Sequence, residues 1–253
     1  MSLAVVRQVS ARFAECELTH LQREPIDVVK ARAQHADYVR ALKSLGCHVV
    51  ELPAEDDLPD SVFVEDTAFI LPEAAVITRP GADSRKPETA SIADTLRPHR
   101  DLFFMREPAT LDGGDVLVLD KSIFIGLSSR SNAEAVRQLQ SVLERFGYQV
   151  HGVQVGDFLH LKSAVTRLDS DTLLVNPAWV DPAVFGNFQI VEVAPPEPTA
   201  ANILVINGTC IYPDAFPETQ ARIQTHGTPL LTLDVSEIAK AEGAVTCCSL
   251  ILA

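Results

Sequence analysis

Cysteine is scarce in this chain. There are five in 253 residues, an odd number, at Cys16, Cys47, Cys210, Cys247 and Cys248. That argues against a disulfide framework and for a reducing, cytoplasmic setting. No Cys-x-x-Cys occurs, which removes the usual spacing of a structural zinc site. Positive charge is also short: 21 Lys and Arg face 34 Asp and Glu, a net charge of −13. Nucleic acid and anionic membrane surfaces are therefore disfavoured as partners, since both need a basic surface. The acidic field suits a small cationic ligand instead. No apolar run approaches a membrane span. Residues 1–7 have neither a basic flank nor a long apolar stretch and do not read as a signal peptide. No linker divides the chain, and the densest proline cluster, Pro195-Pro196-Glu197-Pro198, reads as a loop. Residues 1–253 are thus read as one α/β domain, with 47% hydrophobic residues to fill its core.

Strand-like and helix-like segments alternate throughout. Residues 4–9 and 48–52 read as strands. Between them, 27–45 reads as a helix, with Val28, Ala31, His35, Tyr38, Val39 and Leu42 on one stripe and Gly46 at its end. Hairpins are expected at 62–71 with 75–78, 116–119 with 123–125, 163–167 with 172–175, and 203–206 with 210–212. The last of these turns on Asn207-Gly208, a strong two-residue turn signal. Further helices are expected at 87–96, 132–146, 217–225 and 236–241. The hairpins recur roughly every 40–50 residues, as a repeat architecture would give. Polar groups gather at the first strand of successive hairpins: Glu65-Asp66, Asp112-Gly113-Gly114-Asp115 and His160-Leu161-Lys162, with Cys247-Cys248 opening a final strand over 245–252. If the repeats surround an axis, these points converge on one cavity.

The adjacent thiols invite three readings. A vicinal disulfide is strained, because neighbouring Cα atoms lie about 3.8 Å apart and a relaxed bridge wants roughly 4.4–6.8 Å. Metal-ligand spacing is absent. A nucleophile needs a base and an orienting carboxylate, and His160 and the carboxylates of Asp112-Gly113-Gly114-Asp115 offer them. In a strand, Cys247 and Cys248 would point to opposite faces, so only one can meet the cavity. Taken alone, each group also has a plainer reading: a buried small hydrophobe for either cysteine, a satisfied core histidine, a glycine turn. Glu65 and Asp66 interrupt an apolar segment, which costs burial energy unless a cation pairs them. A guanidinium suits two carboxylates. Arg85 and Arg130 could bind an anionic end. Acids at one end and arginines at the other describe an amino acid with a guanidino side chain.

Six motifs then appear in order: Phe63-Val64-Glu65-Asp66, Thr78-Arg79-Pro80-Gly81-Ala82-x-Ser84-Arg85, Leu111-Asp112-Gly113-Gly114-Asp115-Val116, Gly126-Leu127-Ser128-x-Arg130, His160-Leu161-Lys162-Ser163 and Thr246-Cys247-Cys248-Ser249. The ordered set resembles the dimethylarginine dimethylaminohydrolases of the guanidino-modifying (pentein) superfamily, a resemblance that covers residues 5–252. The resemblance implies a five-bladed α/β propeller of ββαβ-type repeats around a central active site. It implies Cys247 as nucleophile, His160 as general acid and base, and Asp112 as the group orienting His160; some relatives carry Glu there. It implies Asp60, Glu65 and Asp66 at the guanidinium, Arg85 and Arg130 at the carboxylate, Leu18 in a lid over residues 13–24, and the main chain at Ala241 at the α-amino group. The implied reaction converts methylated arginine to citrulline and methylamine or dimethylamine, with no metal or organic cofactor; zinc held by Cys247 and His160 would inhibit. The alternatives are an arginine deiminase- or amidinotransferase-like enzyme and a catalytically silent amino-acid-binding protein. The implied partner is the small-molecule substrate alone, and a homodimer is left open.

Overall fold

The computed structural model describes residues 2–156 and 158–252. The chain opens with strand β1 (Leu3–Arg7), helix α1 (Val28–Ser44) and strand β2 (His48–Leu52). Asp27 caps α1, its carboxylate accepting the Lys30 N–H at 3.0 Å. Ala31, His35, Tyr38, Val39 and Leu42 form its buried stripe. Gly46, at φ 89°, lets the chain turn out of the helix.

Four further units repeat this plan. The first holds β3 (Ala68–Ile70), β4 (Ala74–Ile77), α2 (Thr89–Leu96) and β5 (Asp101–Phe104). The next holds β6 (Val116–Leu119), β7 (Ser122–Leu127), α3 (Ala133–Leu143) and β8 (Gln149–Gln154). In the third, β9 (Val165–Arg167) and β10 (Thr172–Val175) reach β11 (Gln189–Glu192) through a short 3-10 helix, Pro182–Phe185. The fourth holds β12 (Leu204–Ile206), β13 (Thr209–Pro213), α4 (Pro217–His226) and β14 (Leu230–Leu233). Helix α5 (Ser236–Ala239) and strand β15 (Leu250–Leu252) follow.

Each unit folds into its own three-stranded sheet. The first strand pairs antiparallel with the second, and the second pairs parallel with the third across the crossover. The remaining sheet has the order β15-β1-β2. The last strand of the chain supplies the first strand that the N-terminal unit lacks, with Ala4 opposite Ile251. This pairing closes the ring of a five-bladed α/β propeller. The first strands lie innermost, β3 beside β15 and β9 beside β12.

Hairpins and helices fall where the sequence places them, within a few residues. The Asn207-Gly208 turn has both residues at positive φ, 49° and 79°, as a tight hairpin requires. Three expectations change. Residues 62–71 are not one strand: Val64–Thr67 is a 3-10 turn and only Ala68–Ile70 is extended. His160 does not open a strand but caps the 3-10 turn Leu161–Ser163. The two terminal thiols lie in a turn before β15 rather than within it. In each case a turn, not a strand, carries the polar residues. No helix among the described residues is long and apolar enough to cross a membrane.

Candidate active site

Because every blade begins with a turn that leads into its innermost strand, those turns meet near the propeller axis. The turns before β3, β6 and β9 touch in succession. They carry Asp66, Asp112 and His160, and the turn before β15 carries Cys247. Asp66, His160 and Cys247 line one small closed cavity with Glu17, Asp60, Phe63, Arg85, Arg130 and the segment Ala241, Glu242 and Gly243. The sequence expectation that distant motifs converge is met for these residues.

His160 is held between carboxylates. Its Nε2 lies 3.1 Å from Asp112 Oδ2, and its Nδ1 lies 3.9 Å from Asp66 Oδ1. Burial opposes a charged ring, but Asp66, Asp112 and Asp115 outweigh it and raise the His160 pKa to about 9. Asp112 is itself fixed: its Oδ1 accepts the Gly81 N–H at 2.8 Å, and its other oxygen lies 3.6 Å from Arg130 Nη1. The two glycines that follow Asp112 permit the close approach. A Cβ on Gly113 would sit 1.9 Å from the Glu65 carbonyl oxygen, and one on Gly114 would sit 2.5 Å from His160 Nδ1. No side chain fits at either place.

Asp66 receives the Gly114 N–H at 3.0 Å and Arg85 Nη1 at 2.5 Å. Burial alone would raise its pKa, yet His160 and Arg85 hold it below the usual carboxylate range. Arg85 is buried, and all three of its guanidinium nitrogens are engaged, by Glu88, Asp66 and the carbonyls of Asp60 and Phe63. Arg130 stands on the turn after β7, where Ser128 Oγ accepts the N–H groups of Arg130 and Ser131. Its Nη2 donates to Thr19 Oγ1 at 2.9 Å. Asp115, not singled out from the sequence as a site residue, ties two of these turns together. It accepts the Leu161 N–H at 2.9 Å and the Ser128 hydroxyl at 2.6 Å.

Cys247 is half-buried at the cavity, while Cys248 packs into the core. Burial, then the nearby Glu65 and Asp66 carboxylates, push the Cys247 thiol well up; the Ala244 N–H, 3.4 Å from its sulfur, works the other way. The resting site therefore keeps the thiol protonated and His160 charged.

One expected position differs. The Glu65 side chain does not line the cavity that Asp66 lines: its oxygens take Lys162 Nζ at 2.6 Å and Thr246 Oγ1 at 2.8 Å, and it lines a separate, wider cavity of about 770 Å³. Consecutive residues of a 3-10 turn project about 120° apart, so adjacent carboxylates part company. Leu18 packs half-buried against the cluster around Phe13 and Phe63, and its neighbour Glu17 is the cavity wall. The segment 13–24 covers the site. Asp60 accepts the Glu17 N–H at 3.1 Å, and Glu242 accepts the N–H groups of Thr19, His20 and Leu21 at 2.9, 2.6 and 2.6 Å. Glu242, at φ 58°, escaped the sequence reading because its partners are backbone groups, which leave no side-chain signal.

Asp66, Asp112 and His160 also bring ligand atoms within 4.8 Å of one another, a spacing that a cation could use. The Arg85 charge, 2.5 Å from Asp66, competes with any such ion.

A sequence model described as "N,N dimethylarginine dimethylhydrolase, eukaryotic" matches residues 15–168. The N(G),N(G)-dimethylarginine dimethylaminohydrolase of Streptomyces coelicolor is 39% identical over 97% of this chain and 95% of its own. That of Pseudomonas aeruginosa is 34% identical over 97% of this chain and 98% of its own. A solved structure of a cysteine-to-serine variant of the P. aeruginosa protein, complexed with citrulline, superposes with a TM-score of 0.94 at 33% identity, covering 98% of both chains. With its converging turns, closed ring of blades and near full-length matches, the chain belongs to the dimethylarginine dimethylaminohydrolase family.

Proposed function

We propose that this chain hydrolyses Nω-methylated arginine to citrulline, releasing dimethylamine or methylamine. One observation carries the reading: a half-buried thiol shares a cavity with a histidine braced by two carboxylates, with Arg130 on the same wall. Asp60 and Asp66 face the guanidinium. Arg130 receives the substrate carboxylate, with Arg85 adding positive charge beside it while tied to Asp66 and Glu88. The main chain at Ala241 faces the α-amino group, and Leu18 belongs to the lid.

The resting protonation states suit this chemistry. The cationic guanidinium offsets the acids that hold the thiol neutral, so substrate binding favours the thiolate. The thiol proton is lost to solvent as the substrate binds, and the Cys247 thiolate forms a carbon–sulfur bond to the guanidinium carbon. His160, oriented by Asp112, gives its proton to the departing amine as the carbon–nitrogen bond breaks. A thiouronium remains on Cys247. His160, now neutral, takes a proton from water and the hydroxyl adds to the same carbon; the carbon–sulfur bond then breaks, and the hydroxyl proton passes to the departing sulfur as the citrulline carbonyl forms, restoring the thiol. The whole chain acts as one catalytic unit, since β15 and β1 complete a single blade. Five free cysteines support a reducing, cytoplasmic setting.

The cavity as it stands has about 20 Å³, room for little more than one water. An amino acid enters only after the segment 13–24 lifts. The test is citrulline formation from asymmetric dimethylarginine, with Cys247→Ser alongside. The variant should lose at least 10³-fold in kcat, the scale on which covalent catalysis fails without its nucleophile. Undiminished turnover would reject the mechanism, and ammonia from arginine as the main product would replace the substrate.

A further inference from the structure

One polar ring in the propeller remains unused by this chemistry. Each of the five blade-entry turns contributes one member: Glu65, Gly113, Lys162, Asn202 and Thr246. Lys162 Nζ donates to Glu65 Oε1 at 2.6 Å and to the Gly113 carbonyl at 3.1 Å. Thr246 Oγ1 donates to Glu65 Oε2 at 2.8 Å. Asn202 Nδ2 donates to Thr246 Oγ1 at 2.9 Å and to the Lys162 carbonyl at 3.2 Å, and its Oδ1 accepts the Thr246 N–H at 3.1 Å. The Glu65 N–H closes the set on the Cys247 carbonyl at 3.1 Å. Thr246 is the neighbour of Cys247, Glu65 of Asp66, Gly113 of Asp112, and Lys162 follows His160 by two residues.

We propose that Lys162 is a positioning residue for Cys247, acting through Glu65: it neutralises the one ring carboxylate behind the thiol and holds the peptide that carries it. This rests on the reading of Cys247 as the nucleophile. Glu65 is the only charged acceptor in the ring, and its side chain is nine-tenths buried. Left unpaired, its charge would act on the sulfur from the next turn. The other charged groups stay constant. Asp66 and Cys248 act on the thiol electrostatically, and His160 lines its cavity. Asp60, Arg85 and Arg130, with Glu17 and Glu242, line the same cavity. Tyr38 also feels the Glu65 charge. Arg167, Asp169 and His226 line the wide cavity that Lys162 also faces.

The experiment follows iodoacetamide alkylation of Cys247 against pH in the full chain, beside citrulline kinetics. Lys162→Met exposes the thiol to an unpaired Glu65 and should raise the alkylation midpoint by about 1 unit. Glu65→Gln removes the anion and should lower the midpoint. The double variant E65Q/K162M should return close to the wild-type midpoint. Thr246→Val breaks the ring without changing a charge and should lower kcat while the midpoint stays. K162M should lower kcat at least tenfold with a smaller change in KM. A ring that only braces the fold would move both charge variants the same way or not at all, and either result overturns the proposal. If K162M does not fold, E65Q decides: a midpoint that rises or stays refutes it. Alkylation needs no substrate, so these midpoints can move as expected even if the chain makes no citrulline, and the two readings fail separately.

Discussion

At the scale of single residues, His160 couples the site to stability. Its folded pKa of about 9 exceeds the ordinary 6.5 because Asp66, Asp112 and Asp115 together overcome its burial. A group raised on folding stabilises the fold while both states are protonated, below pH 6.5, and that contribution is lost as pH rises through about 9. The size is on the order of 3 kcal/mol. Urea melts at pH 6 and pH 9.5 should therefore show a larger drop for the wild type than for His160→Gln. Equal drops in the two proteins would mean that the carboxylates do not hold the imidazolium. Much of this site was legible in the sequence, because Cys247, His160, Asp112 and Asp66 sit in short motifs with the residue types that nucleophilic chemistry needs. Glu65 and Asp66 lie in different cavities for a local reason: they are neighbours in the chain, but a 3-10 turn points consecutive side chains about 120° apart. Asn202 lies in no motif, and its place in the ring follows only from the closure of five blades.

Elements differ in how plainly they announce themselves. Helix α3 was readable because Leu139 and Leu143 recur at helical spacing between the Asn132 cap and Gly147. Both leucines pack fully buried in one cluster with Ile123 and Ile125, so Leu139→Ala should cost about 2–5 kcal/mol in a denaturant melt. Apart from β2, the third strands were not assigned to residues in the sequence reading. β8 and β11 are outer strands with mostly exposed or half-exposed side chains, so no alternating apolar face marks them. The covering segment 13–24 is irregular over most of its length, and a carboxylate fastens it. Three backbone N–H groups converge on Glu242, and hydrogen bonds to a charged acceptor are worth about 1.5–3 kcal/mol each when shielded and less when exposed as here. Glu242→Ala should speed hydrogen exchange at Thr19, His20 and Leu21 by about tenfold, the effect of about 1.4 kcal/mol. Exchange at the wild-type rate would show that the segment is held by other contacts, such as Arg130 with Thr19.

At the scale of the whole molecule, the ring closes through its two ends. β1 alone can pair with β2, but the innermost strand of that blade comes from β15, some 245 residues later in the chain. Such a long-range pairing was invisible to any local pattern. Its consequences are both energetic and chemical. Leu250 and Leu252 are buried beside Val5, Ala68 and Ile77, and burying each leucine is worth about 1.5–3 kcal/mol. That is a large share of a net stability of about 5–15 kcal/mol. The same strand anchors the turn that holds Cys247. Deleting residues 250–253 should therefore lower the melting temperature by about 10 °C or more, taking a few degrees per kcal/mol for a chain of this size, and should abolish citrulline formation. Trimming Ala253 alone removes no residue of β15 and should do neither. A chain that lacks residues 250–253 yet melts like the full length would show that the other four blades close around the axis without the fifth, and the ring would then be a packing arrangement rather than a condition of folding.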